Sequence, residues 1–361
     1  MKRRDYLHAT LAVGAVGGVA GCTDLIETRE VRSEPAIVED RPAAVYHPTH
    51  VDGMKMVGTT ETDDGEYAVG LTYTYPHRFW RVDGSTESVE EATLEPSEEG
   101  DDVHLMSLVW DPETGRTLPE SGVSVGISKG GDPLDEQVIY PMLSPRMGFH
   151  YGANFELDGD GDYEVTVDIG GTSVRRTGAY QGRFGEAATA TVPFEYSADA
   201  RSEISVDRTP EKAGEPAVPS VMGMMDVPLG VAPDPGSMPG QHRGTAESGD
   251  ARLAVVTLES PPEGVDGEGA YLAVSARTPY NQLLLPMMQL EATLARGGET
   301  VFDGRLTRTF DDRLNYHYGA AVDPVESGDE LTVRVRTDPQ VARHEGYETA
   351  FLDMPEATMT L

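Results

Sequence analysis

The chain of 361 residues has one cysteine, Cys22, so no internal disulfide can brace it and no other thiolate is available for catalysis or metal binding. That count also excludes a blue-copper electron carrier in the folded region, because such a site needs a cysteine beside its histidines. Basic residues are scarce: 28 Lys and Arg stand against 62 Asp and Glu, a net charge of −34. Charge of that sign repels nucleic acid, which excludes a nucleic-acid partner. It also strains a fold until counterions screen it. The acidic residues are spread along the chain instead of forming one tail, and lysine is rare. The pattern suits a halophilic protein on a salt-rich exterior. Long apolar runs are missing too, since Ala9 to Ala20 is too short and small-sided for a comfortable membrane span. With 40 Gly and 25 Pro, long helices have no place to form.

What is present begins with an export signature. Lys2-Arg3-Arg4-Asp5-Tyr6-Leu7 precedes the apolar stretch, which ends at Val19-Ala20-Gly21-Cys22. Paired arginines of this kind resemble a twin-arginine signal, and the small-small-Cys ending resembles a lipoprotein cleavage site. The expectation is a signal peptide over residues 1–22, a lipid on Cys22, and a flexible tether over 23–42. The protein would then sit on the outer face of the cell membrane. The alternative is an ordinary uncleaved N-terminal anchor with a chance cysteine.

The rest reads as strand. Tyr67 to Tyr75, Val123 to Ile127, Tyr163 to Ile169, Ala251 to Leu258, Tyr271 to Ala276, Leu290 to Leu294 and Leu331 to Arg336 alternate or run apolar over strand lengths. Many short strands separated by Gly and Asp turns predict packed antiparallel sheets. Met147-Gly148-Phe149-His150-Tyr151-Gly152-Ala153-Asn154 and Leu314-Asn315-Tyr316-His317-Tyr318-Gly319-Ala320-Ala321 share an aromatic-His-Tyr-Gly-Ala core in the same strand context. The expected architecture is therefore all-β, with two immunoglobulin-like antiparallel β-sandwich domains in tandem at 43–198 and 245–361. The intervening 199–244, rich in Pro, Gly, Met and charge, reads as a linker.

Several side chains have metal-binding character. His50 and Asp52, two apart on a strand, point to one face. Met142 and His150 lie in one short stretch. Imidazole with thioether favours copper, and imidazole with carboxylate tolerates ferrous iron or manganese. His47 and His77 read as ordinary surface or core histidines. Met222, Met224, Met225 and Met238 form a methionine-rich segment, read as flexible filler in preference to a soft-ion relay.

The block Pro141-Met142 through His150-Tyr151-Gly152-Ala153-Asn154, with His50-Val51-Asp52 upstream, resembles the periplasmic ferrous-iron transport accessory proteins. These have an immunoglobulin-like sandwich and work beside an iron permease. The resemblance covers about 43–198. It implies a copper site at His50, Met142 and His150, with Asp52 as a nearby carboxylate tied to iron or manganese. It also implies a membrane iron permease as partner, with a homodimer as the assembly to consider. The sequence departs from that pattern in two ways. The spacing from Met142 to His150 is one residue longer. A later His following an Arg is missing at Val174-Arg175-Arg176-Thr177 and present in the second copy at Ala342-Arg343-His344. The second copy in turn has no Met between Leu306 and Asp312. His317 and His344 are therefore secondary metal candidates. An inactive second copy is the preferred reading, and completion of the first site by His344 the alternative.

Two enzyme-like motifs are set aside. Gly122-Val123-Ser124-Val125-Gly126 matches a nucleophile elbow but lies in a strand pattern with no following helix. Asp158-Gly159-Asp160-Gly161-Asp162 begins like a calcium loop, yet Tyr163 and Ile169 stand where that loop needs Gly and Glu. The expected function is a metal-binding lipoprotein without turnover that assists iron uptake. A structural surface lipoprotein without metal is the competing class, and a redox enzyme acting on metal is a third.

Overall fold

The computed structural model describes residues 35–82, 92–221 and 227–361. The signal peptide, Cys22, the first part of the tether, and Met222, Met224 and Met225 lie outside these residues. Among the described residues no helix is long and apolar enough to cross a membrane.

Among the described residues the regular structure is nearly all strand, and most strand pairs are antiparallel. Period-two alternation shows directly in the burial of Gly161–Ile169 and Ala188–Tyr196, whose Tyr163, Val165, Val167, Val192 and Phe194 face inward. These two strands pair with each other, and Val123–Lys129 and Asp132–Val138 extend them to a four-stranded sheet. Ser124 lies within the strand Val123–Lys129, opposite Asp168 and Val138, so the elbow-like motif is plain sheet. Asp158 to Asp160 turn the chain between two strands. The facing sheet runs in the order Lys55–Glu61, Ala68–Thr74, Val103–Trp110, Gly148–Phe155, Tyr140–Ser144, Ala342–Arg343, Phe79–Arg81 and Thr93–Glu95. Ala68–Thr74 and nearly all of Val103–Trp110 are buried on both faces, so these strands are mostly apolar and show no alternation of period two. Tyr73 meets Phe194 across the layers with ring centroids 5.2 Å apart, one of many aromatic contacts that fill the sandwich.

The second half repeats this plan at a constant offset of 167 residues from Val103 onward. Val103–Trp110 corresponds to Ala270–Arg277, and Gly148–Phe155 to the region of His317–Val322. Asp132–Val138 with Tyr140–Ser144 corresponds to the single strand Glu299–Asp311. In the second half that one strand pairs with Gln289–Arg296 through its first part and with His317–Val322 through its last. Residues 199–244 carry structure of their own: a short helix at Ala198–Ser202, and a strand at Val206–Arg208 that pairs with His50–Asp52.

The halves exchange short strands reciprocally. Arg175–Thr177, from the first half, pairs in parallel with Thr309–Asp311 of the second. Ala342–Arg343, from the second half, pairs in parallel with Met142–Leu143 of the first. Both pairings fall at the same offset, Arg175 with Thr309 and Ala342 with Met142. This reciprocity builds the site.

Candidate metal centre

Strand register brings the block from Met142 to Asn154 to a point. His150 lies directly opposite Met142, and Asn154 directly opposite His104. Side chains two apart on a strand share a face, so His150, Gly152 and Asn154 look the same way, with Met142 and His104 beside them. Gly152 leaves the hollow at their centre. A Cβ built there would stand 2.8 Å from His104 Nε2 and 3.1 Å from Met142 Sδ, so those two atoms are at most 5.9 Å apart, the sum of the distances. Met142 is fully buried against Phe79 and Ala342.

A different chain segment delivers His344. The His344 N–H donates to the Leu143 carbonyl at 3.2 Å, continuing the parallel pairing of Ala342 and Arg343. Arg343 points the other way and anchors the turn: it is fully buried, donates to the Ala350 carbonyl, and reaches Asp338 at 3.2 Å. Burial lowers Arg343 to about 10 and raises Asp338, and each partner helps to hold the other's charge. The His344 ring then lies 5.2 Å from His150, 5.7 Å from His104 and 4.8 Å from His77, centroid to centroid. His77, His104 and His344 each offer a ring nitrogen, all within 4.8 Å of one another.

Hydrogen bonds assign the tautomers. Gly148 has φ of 71°, a left-handed turn that suits glycine, and its carbonyl accepts from His150 Nδ1 at 3.0 Å. Asn154 Oδ1 accepts from His104 Nδ1 at 2.8 Å, while Asn154 Nδ2 donates to the His77 carbonyl at 3.1 Å. The Tyr75 carbonyl accepts from His77 Nδ1 at 3.0 Å, which leaves His77 Nε2 to accept from His344 Nδ1 at 2.9 Å. Every ring is thus protonated on Nδ1. The Nε2 lone pairs of His104, His150 and His344 remain, buried and without a hydrogen-bond partner among the described residues. Orphaned buried acceptors are costly, and an apolar core offers no reason to keep three together.

Electrostatics favours the neutral rings. Burial above all pulls His104 and His344 well below the usual histidine range and His150 to about 4, and the neighbouring imidazoles add to the shift in each case. The lone pairs are therefore free at neutral pH. Imidazole nitrogen with one thioether sulfur suits copper or another soft to borderline ion, and no carboxylate belongs to the group. The residues fit a metal ion: three oriented nitrogens, a thioether, and a hollow that a Cβ would fill.

Of the candidates named from sequence, Met142, His150 and His344 come together here. His50 and Asp52 share a face, as their spacing predicts, with Nε2 and Oδ2 3.6 Å apart. The other His50 nitrogen faces Thr49 at 3.1 Å and Glu345 at 3.7 Å, so the structure does not bring this pair into the imidazole group. His317 is buried, but its Nε2 accepts from Tyr271 at 2.9 Å and its Nδ1 donates to the Asn315 carbonyl at 2.9 Å. Met238 packs with Val256, Tyr271 and Leu314, as a filler does. Two members escape sequence reasoning. His77 reads as ordinary from sequence, and His104 lies in a mostly apolar run, Val103–Trp110, that shows no alternation. The signal for His104 was Asn154, whose polar side chain in a core-facing strand needs a partner on the strand opposite.

A family described as "Domain of unknown function (DUF7350)" matches residues 236–360. No curated protein matches the chain. Among solved structures, a copper-bound variant of FetP from uropathogenic Escherichia coli strain F11 is 21% identical, with a TM-score of 0.30, over 40% of this chain and 97% of that one. FetP of the same strain "as isolated", expressed in the periplasm of E. coli, is 20% identical with a TM-score of 0.27, over 41% of this chain and 96% of that one.

Proposed function

We propose that this is an extracytoplasmic metal-binding protein whose centre takes copper, and that it assists ferrous-iron uptake beside a membrane permease. One observation carries the metal reading: ring nitrogens of His77, His104 and His344 lie within 4.8 Å of one another, beside the buried thioether of Met142, and the Nε2 atoms of His104, His150 and His344 are left buried and unpartnered among the described residues. His104, His150, His344 and Met142 would hold the ion, and His77 stands at the edge, bonded to His344. Copper, when bound, supplies one-electron exchange. The chain's own part is to fix three imidazoles through Nδ1, exclude water from the hollow, and keep the rings neutral.

Its donors are arranged to bind an ion, and the reading is a binding module without turnover. Iron or manganese enters as cargo, since the nearby carboxylates, Asp52 and Glu345, surround His50 and not the imidazole group. The export signature of residues 1–22 supports the same reading, in which the protein is tethered to the outer face of the membrane by a lipid on Cys22.

Copper and ferrous-iron titrations of the purified chain in molar salt test this, wild type beside His150→Ala. One equivalent of copper, abolished by the substitution, is expected. Binding indifferent to His150, or none, makes the metal-free structural surface protein the better reading. The uptake role is tested by growth on limiting iron of cells whose only copy carries His150→Ala. Growth equal to wild type removes it.

A further inference from the structure

The repeat places a second constellation in the second half, matching three of the four proposed ligands and the central glycine, with Thr177 at the place of His344. At the offset of 167, His317 answers His150, Gly319 answers Gly152, Tyr271 answers His104, and Thr309 answers Met142. The local geometry is kept: Asn315 takes the left-handed conformation of Gly148, φ 63° against 71°, and its carbonyl likewise accepts from the following histidine's Nδ1. The Gly319 hollow is also kept, but Tyr271 fills it, since a Cβ there would stand 2.2 Å from the Tyr271 hydroxyl.

The short strand exchanged from the other half decides what occupies the place. In the first half that strand brings Ala342 to Met142 and so leaves the centre open. In the second it brings Arg175 to Thr309. The Arg175 guanidinium donates to the Tyr271 hydroxyl at 2.9 Å, to Thr309 Oγ1 at 2.8 Å and to the Gly319 carbonyl at 2.8 Å. Tyr271 passes its proton toward His317 Nε2 at 2.9 Å. The guanidinium thus bonds the counterparts of a ligand nitrogen and a ligand sulfur, and no lone pair among Tyr271, Thr309 and His317 Nε2 is left orphaned.

We propose that the second half carries the counterpart of the imidazole–thioether centre, its hollow taken by Tyr271 and its donors held by the Arg175 guanidinium in place of an ion. Each chain therefore takes one ion and not two. Arg175 is a built-in cation, fixed covalently where its counterpart binds from solution. It also lines an open cleft with Thr307, Arg308 and Gln340, so a small cation from solvent can reach the hollow that its removal leaves.

Two arms test the proposal. In the first, Arg175→Ala is melted with and without millimolar guanidinium or methylguanidinium, with equimolar urea as the neutral control. The expected result is a lowered Tm that the cations restore in large part and urea does not. Equal effects of urea and guanidinium, or an Arg175→Met chain as stable as wild type, would overturn the proposal. The second arm rests on the proposed metal function. It combines Arg175→Ala, Tyr271→His and Thr309→Met, and reads copper stoichiometry and the imidazole bands of the copper spectrum. A second equivalent that disappears with His317→Ala is expected. A folded triple variant, intact at the first centre, that still takes one equivalent counts against the proposal. If wild type binds no copper, the metal reading fails while cation rescue still decides the role of Arg175.

Discussion

Gly152→Ala puts one methyl group into the hollow where the ion is proposed to sit. Gly152 does not have the left-handed φ that favours glycine, so the new side chain strains no backbone dihedral and the effect is steric alone. The added carbon would stand 2.8 Å from His104 Nε2 and 3.1 Å from Met142 Sδ. Ordinary contact starts near 3.5 Å, so the ring and the thioether must each retreat by several tenths of an ångström. His104 is held from behind by Asn154 at 2.8 Å, and Met142 is wedged against Phe79 and Ala342, so neither moves freely. Overpacking of this kind costs about 1–3 kcal/mol of stability. Displacing two ligands should cost at least the roughly 10–100-fold in affinity typical of a lost supporting contact. The assay is copper titration paired with thermal melting of the metal-free chain. Gly319→Ala is the control: its Cβ would meet Tyr271 at 2.2 Å and destabilise the second half, with no change in copper affinity. Unchanged copper affinity in Gly152→Ala would refute the assignment of the hollow.

Further outcomes follow from the same geometry. Asn154→Leu removes the acceptor that orients His104 and the donor to the His77 carbonyl, so copper affinity should fall about 10–100-fold, read by competition with a chelator. His317→Ala should leave that affinity unchanged while costing about 1–3 kcal/mol in urea unfolding, because the Tyr271 hydroxyl loses its acceptor. Metal-free protein should lose stability as pH falls from about 6.5 to 4. The unfolded chain takes up protons there that the buried His150 and His317, both lowered to about 4, refuse. Each of the two contributes about 3 kcal/mol to that loss by pH 4. A Tm at constant salt that stays flat over this range contradicts the neutral-ring assignment.

Much of the fold was legible because its strands are short and alternate. Tyr163 to Ile169 shows the period of two in its letters, and Ala251 to Leu258 is a strand at the same bounds in the structure. The repeated His-Tyr-Gly core marked the strand that holds the centre. His104 was hidden for the opposite reason: Val103 to Val109 is buried on both faces, so no alternation singles out an inward-facing polar residue. His344 was visible as an Arg-His pair in the wrong half. What carries it across is the two-residue strand Ala342–Arg343, too short for any periodicity to show. His50 and Asp52 share a face as their spacing requires, but which face depends on pairing with Val206–Arg208, inside a segment that reads as linker.

The central claim is that an ion sits among His104, His150, His344 and Met142. X-ray absorption at the copper edge of the loaded protein tests it most directly, wild type beside Met142→Leu, a nearly volume-conserving exchange. The account predicts imidazole nitrogens with one sulfur scatterer in wild type, and loss of that sulfur alone in the variant. A first shell of oxygens, or a sulfur signal indifferent to Met142, would contradict it.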